Sequence, residues 1–344
     1  MMSPALSTLE FNNGADMTKK FLALVGALSG FLFSATAPVM AQQAFPDRPL
    51  RLLVPFSPGG STDVYARKFA KLLGDNLGQV VVVENKDGGA GSIAGSQLKA
   101  AKPDGYTVMI GTSSNVTTGP ATNAVFKYDP RKDFSAIGIL GVLPMVVIAN
   151  PSVPANNMKE FVSLIKQNPD KYMYGSGGVG GVSHLAGELF KDEMGGLKLP
   201  HVPYKGSGPV IQDILAGRVQ VLFDNAVPNL PHYRAGKEKI LVALSEKRLK
   251  VLPNVPTTVE LGYPDLTSST VLFFLAPAKT PEAVLSKIRE ASQQVIDNPQ
   301  FSKDVTEMGV EKPDSVDAVS AEKYIREDMA KWANIAKKIG LKLE

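Results

Sequence analysis

Leu50-Arg51-Leu52-Leu53-Val54-Pro55-Phe56-Ser57-Pro58-Gly59-Gly60-Ser61-Thr62-Asp63 carries an apolar run of strand length into a turn of small residues and then into a helix start. Tyr65, Phe69, Leu72, Leu73 and Asn76 follow at helical spacing, which predicts one buried face on a helix over about 62–77. Val80–Val83 reads as a second strand, Gly88–Ser92 as the opening of a short helix, and Tyr106–Gly111 as a third strand. Strands alternating with helices argue for a parallel sheet with crossover helices.

The alternation restarts after Pro151. Helices are expected near 158–167, 183–194 and 209–216, with strands at 172–176, 201–204 and 219–224. Beyond Ala276-Pro277 the pattern is helical: 281–298, 300–308 and a long helix over about 317–339. Two βαβ blocks and a helical tail predict an α/β protein of two lobes, the tail packing on the first. The chain's 344 residues agree with two units of roughly 150 residues each.

Composition excludes several chemistries. There is no cysteine and there are only three histidines, so thiol catalysis, disulfides and cysteine-based metal centres are ruled out. A formal net charge of +4 is too small and too evenly spread for a nucleic-acid binder. At the N-terminus, Met17-Thr18-Lys19-Lys20, the apolar run Phe21–Phe33 and Ala37-Pro38-Val39-Met40-Ala41 read as a secretory signal peptide over residues 1–41, with cleavage expected near Ala41–Gln42. The apolar run is shorter than the about 20 residues of a bilayer span. Met1–Asp16 lies upstream of that pattern, and Met17 is the expected start.

Two strand-to-helix turns are candidate ligand sites. The first comprises Phe56, Ser57, Gly59, Gly60, Ser61, Thr62 and Asp63; the second comprises Ser176, Gly177, Gly178, Gly180, Gly181 and His184. Helix N-termini carry unpaired N–H groups and partial positive charge, and so favour anions. The competing reading makes these glycines ordinary turn and cap residues, with His184 packed rather than facing a ligand. Neither turn fits a nucleotide P-loop. Gly175–Gly180 matches Gly-x-Gly-x-x-Gly only in isolation. A serine hydrolase built on Ser61 with Asp63, or on Ser176 with His184, lacks the Gly-x-Ser-x-Gly elbow.

Pro55–Asp63 with Ala66-Arg67 resembles the opening signature of the Bug-type binding proteins of tripartite tricarboxylate transporters. Further matching blocks are Tyr128-Asp129-Pro130, Asp133-Phe134, His184–Phe190, Val202–Gly206, Phe223-Asp224-Asn225, Leu252–Thr257 and Ala276-Pro277-Ala278. The resemblance implies a two-lobe type II periplasmic binding-protein fold, each lobe a mixed sheet flanked by helices and joined by two crossover strands. Lobe 1 would hold residues 42–143 and 268–344, and lobe 2 residues 144–267. It further implies a periplasmic, monomeric solute-binding protein, not an enzyme, without cofactor or metal. That protein would carry a small organic (di)carboxylate to a two-component membrane permease; an ABC importer or a sensor is the alternative client. The two turns would face each other across the cleft, with Ser113, Ser114, Ser207 and Asp224 as further contacts. Many members carry Ser where this chain has Gly181, and Trp-Phe-Gly where it reads Val271-Leu272-Phe273. These departures predict a pocket less polar at one end, suited to an aromatic or longer-chain acid.

Overall fold

The computed structural model describes residues 45–338 and Gly340. The expected signal peptide lies outside the described residues.

β1 (Leu50–Val54) pairs in parallel with β2 (Val81–Asn85) and β3 (Thr107–Thr112). Between them run α1 (Ser61–Leu77) and α2 (Ser92–Ala100). α1 forms because Tyr65, Ala66, Phe69, Ala70 and Leu73 make one apolar stripe, buried against the sheet. It ends at Gly78, whose φ of 67° suits glycine and whose N–H returns to the Gly74 carbonyl.

Two long strands then leave this lobe for the other. β4 (Phe134–Ala149) and β9 (Ser269–Pro277) pair antiparallel, and β9 also pairs antiparallel with β3. The first lobe's sheet is therefore mixed, order β2-β1-β3-β9-β4, not wholly parallel as strand–helix alternation suggested. β9 is buried on both faces: Leu272, Phe274 and Ala276 enter the core under α1, and Val271, Phe273 and Leu275 enter the core under α2.

The far half of β4 belongs to the second lobe, where it pairs with β7 (Val221–Asn225) and β8 (Lys239–Ala243). β5 (Tyr174–Ser176) joins β7, and β6 (His201–Pro203) joins β5, both in parallel. Met145, Val147 and Ala149 face α3 (Met158–Gln167) and α4 (Val182–Glu193). Val146 and Ile148 face α5 (Ser207–Leu215) and α6 (Ala226–Arg234). The tail helices α7 (Glu282–Ile296), α8 (Pro299–Glu307) and α9 (Ala318–Lys338) pack mainly on the first lobe. Each lobe is thus a sheet covered on both faces, and among the described residues only β4 and β9 cross between them. Among the described residues no helix is long and apolar enough to cross a membrane.

Candidate ligand-binding site

The first turn is shaped by Asp63. Its carboxylate accepts from the Gly59 N–H at 3.0 Å, Arg67 Nε at 3.1 Å and Asn85 Nδ2 at 3.0 Å. Burial opposes charge on Asp63, but the Arg67 guanidinium and these amides outweigh it and hold the carboxyl below its usual value. Gly59 sits at φ +84°, a region that favours glycine. The turn thereby delivers Gly60 as the N-terminal flank of α1 with no side-chain cap, so the first-turn N–H groups have no partner within the helix.

These groups border a small cavity between the lobes, about 30 Å³ of free volume. Of the expected site residues, Phe56, Gly60, Ser61, Thr62, Ser114, Gly177, Ser207 and Asp224 line it. Thr112, Met145, Ser183, Gly206, Asn225 and Thr270 line it as well and were not singled out from the sequence. Among the described residues Asp224 is the only ionisable side chain on this wall. It is 3% exposed; Oδ1 accepts from the Ser207 hydroxyl at 2.8 Å and Oδ2 from Asn229 Nδ2 at 3.3 Å. Burial nevertheless raises its pKa to about 6. Glu238, buried in the same lobe, is pushed up to about 8 by burial and by the charge of Asp224.

The lobes touch directly. The Val182 N–H donates to Ser114 Oγ at 3.0 Å, Asn225 Nδ2 donates to Ser61 Oγ at 3.1 Å, and the Ser57 hydroxyl donates to the Lys205 carbonyl at 3.1 Å. At Gly206, φ +133°, the backbone passes Phe56 so closely that a Cβ would lie 3.1 Å from that residue's own Cβ. The cleft is closed.

The second turn departs from the expectation that it offers its backbone donors to a ligand. Gly177 N–H donates to Ser183 Oγ, Gly178 N–H to Ser176 Oγ, Gly180 N–H to His184 Nδ1 and Gly181 N–H to the Gly178 carbonyl. Two local hydroxyls, one imidazole and one backbone carbonyl therefore take these four donors. Gly178 and Gly181 instead pack against the other lobe, at Ala90 and Ser114.

His184, Ser176 and Ser113 stand behind the cavity. The His184 ring stacks on His201 at 4.1 Å, and burial lowers its pKa to about 4. Ser176 Oγ lies 2.6 Å from His201 Nε2, but Ser176 is fully buried and no carboxylate bonds to that imidazole among the described residues. An orienting acid is what a hydrolytic triad needs at that point. Ser113 Oγ accepts from the Val271 N–H at 3.0 Å. The expectation that Val271-Leu272-Phe273 forms a pocket wall is corrected: all three are buried in the first lobe's cores because β9 is covered on both faces, and Thr270 reaches the cavity instead. Among the described residues no group of three or more His, Asp or Glu gathers as a metal site.

The family model described as "Tripartite tricarboxylate transporter family receptor" matches residues 65–341. Protein BugT of Bordetella pertussis is 32% identical over 337 residues, covering 96% of this chain and 100% of BugT. The structure of the periplasmic binding protein BugD superposes with a TM-score of 0.83 at 32% identity, over 87% of this chain and 100% of BugD. A protein of R. palustris solved with adipate gives a TM-score of 0.83 at 29% identity, over 87% of this chain and 100% of that one.

Proposed function

Because the chain belongs to the tripartite tricarboxylate transporter receptor family, we propose that it captures a small organic carboxylate between its lobes and hands it to a membrane permease. One observation carries the carboxylate reading: the uncapped N-terminus of α1, with the Ser61 and Thr62 hydroxyls, lines the interlobe cavity. A carboxylate there would be held by backbone N–H groups, the Ser61 and Thr62 hydroxyls, and the helix dipole. Hydrogen bonds to a charged group contribute about 1.5–3 kcal/mol each, and a helix N-terminus about 0.3–2 kcal/mol more. A few such contacts are enough for micromolar binding, about −8 kcal/mol, after ordering is counted. The adipate bound by the R. palustris relative supports the same class of ligand.

In this reading residues 1–41 are an export signal, and the mature protein works in the periplasm as a monomer without cofactor or catalytic activity. Residues 42–143 with 268–344 form one lobe and 144–267 the other. The permease has a large and a small subunit. The ligand touches both lobes only when the cleft is closed, which supplies the differential affinity that a hinge shift requires.

The test is a thermal-shift panel on residues 42–344, refolded to strip carried-over ligand, against mono-, di- and tricarboxylates, aliphatic and aromatic. A ligand specific for the folded state stabilises it by about 2.7 kcal/mol at a hundredfold excess over Kd. A rise with one class of acid is expected; no rise across the panel overturns the reading.

A further inference from the structure

We propose that a cavity behind the crossover strands is a second binding site, for a small organic amine, and that filling it holds the ligand cleft closed. Its wall and that of the interlobe cavity share no residue among those described.

Position comes first. On β4, Met145 lines the interlobe cavity and Pro144 the rear one; on β9, Thr270 lines the former and Ser269 the latter. Successive side chains of a strand point to opposite faces, so the two cavities lie on opposite faces of the β4–β9 pair. The front has about 30 Å³ of free volume and the rear about 430 Å³, enough for a small molecule. The rear walls come from both lobes: Glu246 and Lys247 from the second, Asp328 and Trp332 from the tail helix packed on the first. A rotation about the strand pair that opens the front brings these walls together. A molecule between them therefore favours the closed form, which is the differential affinity a population shift requires.

Chemistry then names the class. The rear wall carries four carboxylates, Glu246, Glu311, Asp314 and Asp328, against the ammonium groups of Lys247 and Lys331. Among the described residues none of these six enters an ion pair. Asp328 is 9% exposed, and burial raises its pKa although Thr117, Lys331 and Trp332 act against that rise. A cation beside it would offset the cost of its charge. Tyr324 and Trp332 add ring surface for an amine and its stem. The rear wall is also bonded to the closing contact. The Thr117 hydroxyl donates to Asp328 Oδ2 at 2.5 Å, and Thr117 belongs to the short helix Ser114–Thr118, whose Ser114 takes the Val182 N–H of the other lobe.

Isothermal titration of 1,4-diaminobutane into the refolded, acid-free protein tests the site. Saturable one-to-one binding is expected, with none for 1,4-butanediol, which has the same stem without charge. Glu246→Gln combined with Glu311→Gln, both on exposed residues, should weaken the diamine at least about fivefold. Ser269→Trp, which fills the cavity, should abolish its binding; should that variant fail to fold, the double glutamine variant carries the test. Small-angle scattering reads the hold on the cleft: the diamine should lower the radius of gyration of the acid-free protein, and folded Ser269→Trp should show the lower value without it. Absent binding, equal binding of the butanediol, or unchanged affinity in a folded variant overturns the site. Binding without contraction overturns its hold on the cleft. No readout needs a carboxylate ligand, so these outcomes stand apart from the reading of the front cleft.

Discussion

Ser114 and Val182 belong to different lobes, and the Val182 N–H donates to the Ser114 hydroxyl at 3.0 Å. The bond joins the two lobes across the closed cleft, the position of a latch. In Ser114→Ala the Val182 N–H loses its acceptor, an effect of about 1–3 kcal/mol when the group is buried. Closure and ligand affinity should weaken by about 5- to 150-fold. Titration calorimetry with any acid found to bind reads the affinity; unchanged affinity would remove the latch from the mechanism.

Gly208 gives a steric version of the same experiment. A Cβ at this position would lie 2.8 Å from the Pro58 carbonyl oxygen, a backbone atom of the opposite lobe. Gly208 lies in the first turn of α5, where alanine is a better helix former. Gly208→Ala is therefore expected to hold the cleft ajar while leaving thermal stability equal or higher. Small-angle scattering should show a larger radius of gyration that ligand no longer reduces. A normal ligand-induced contraction would refute this.

The stacked imidazoles make stability depend on acid pH. Burial lowers His184 to about 4 and His201 to about 3. Both rings are thus neutral when folded, while the unfolded chain takes up protons near pH 6.5. The unfolded state binds more protons below that pH, so stability is full above about 6.5 and declines as pH falls toward about 4. Urea midpoints at pH 7 and pH 4.5 should show this drop, and His201→Phe should flatten it. Equal slopes for variant and wild type would trace the loss to other groups.

Glu238 works in the opposite sense. Neither of its buried oxygens has a hydrogen-bond partner among the described residues. Its folded pKa, raised to about 8, means that its destabilising effect grows as pH rises from about 4.5 to 8. Glu238→Leu should stabilise the protein by about 1–3 kcal/mol at pH 7.5 and by less at pH 5. Thermal melts at both values check the magnitude and the trend.

Local patterning made much of the fold readable in advance. The stripe Met158, Phe161 and Ile165 gave α3 its bounds, and Tyr65, Phe69 and Leu73 gave α1 all but its first residue. β4 was harder to see: its 16 residues are almost all buried because it serves two sheets in turn, so no in–out alternation marks it. α6 is masked by Pro228 and Pro231. In the site, the first turn was legible because its glycines and Asp63 are contiguous. Thr112, Met145 and Thr270 come from β3, β4 and β9 and meet only through tertiary pairing. Asn225 followed a recognisable strand end, and its position before a helix was the signal available for it.

The pairing of β4 with β9, which runs from Phe134–Pro277 to Pro144–Ser269 with register shifts between Ala136 and Gly138 and between Ile139 and Gly141, has a mechanical consequence. Two hydrogen-bonded strands make an axle rather than a tether, so the lobes swing about one line and do not swivel freely. Separation then scales with lever arm. Thr270, which pairs with Leu143 inside the ribbon, is expected to part little, whereas Ser57 and Lys205, on turns away from it, are expected to part more. A ligand released from this cleft is uncovered first at the rim and last at the axle, and a partner that pries the rim open gains the greatest mechanical advantage over it.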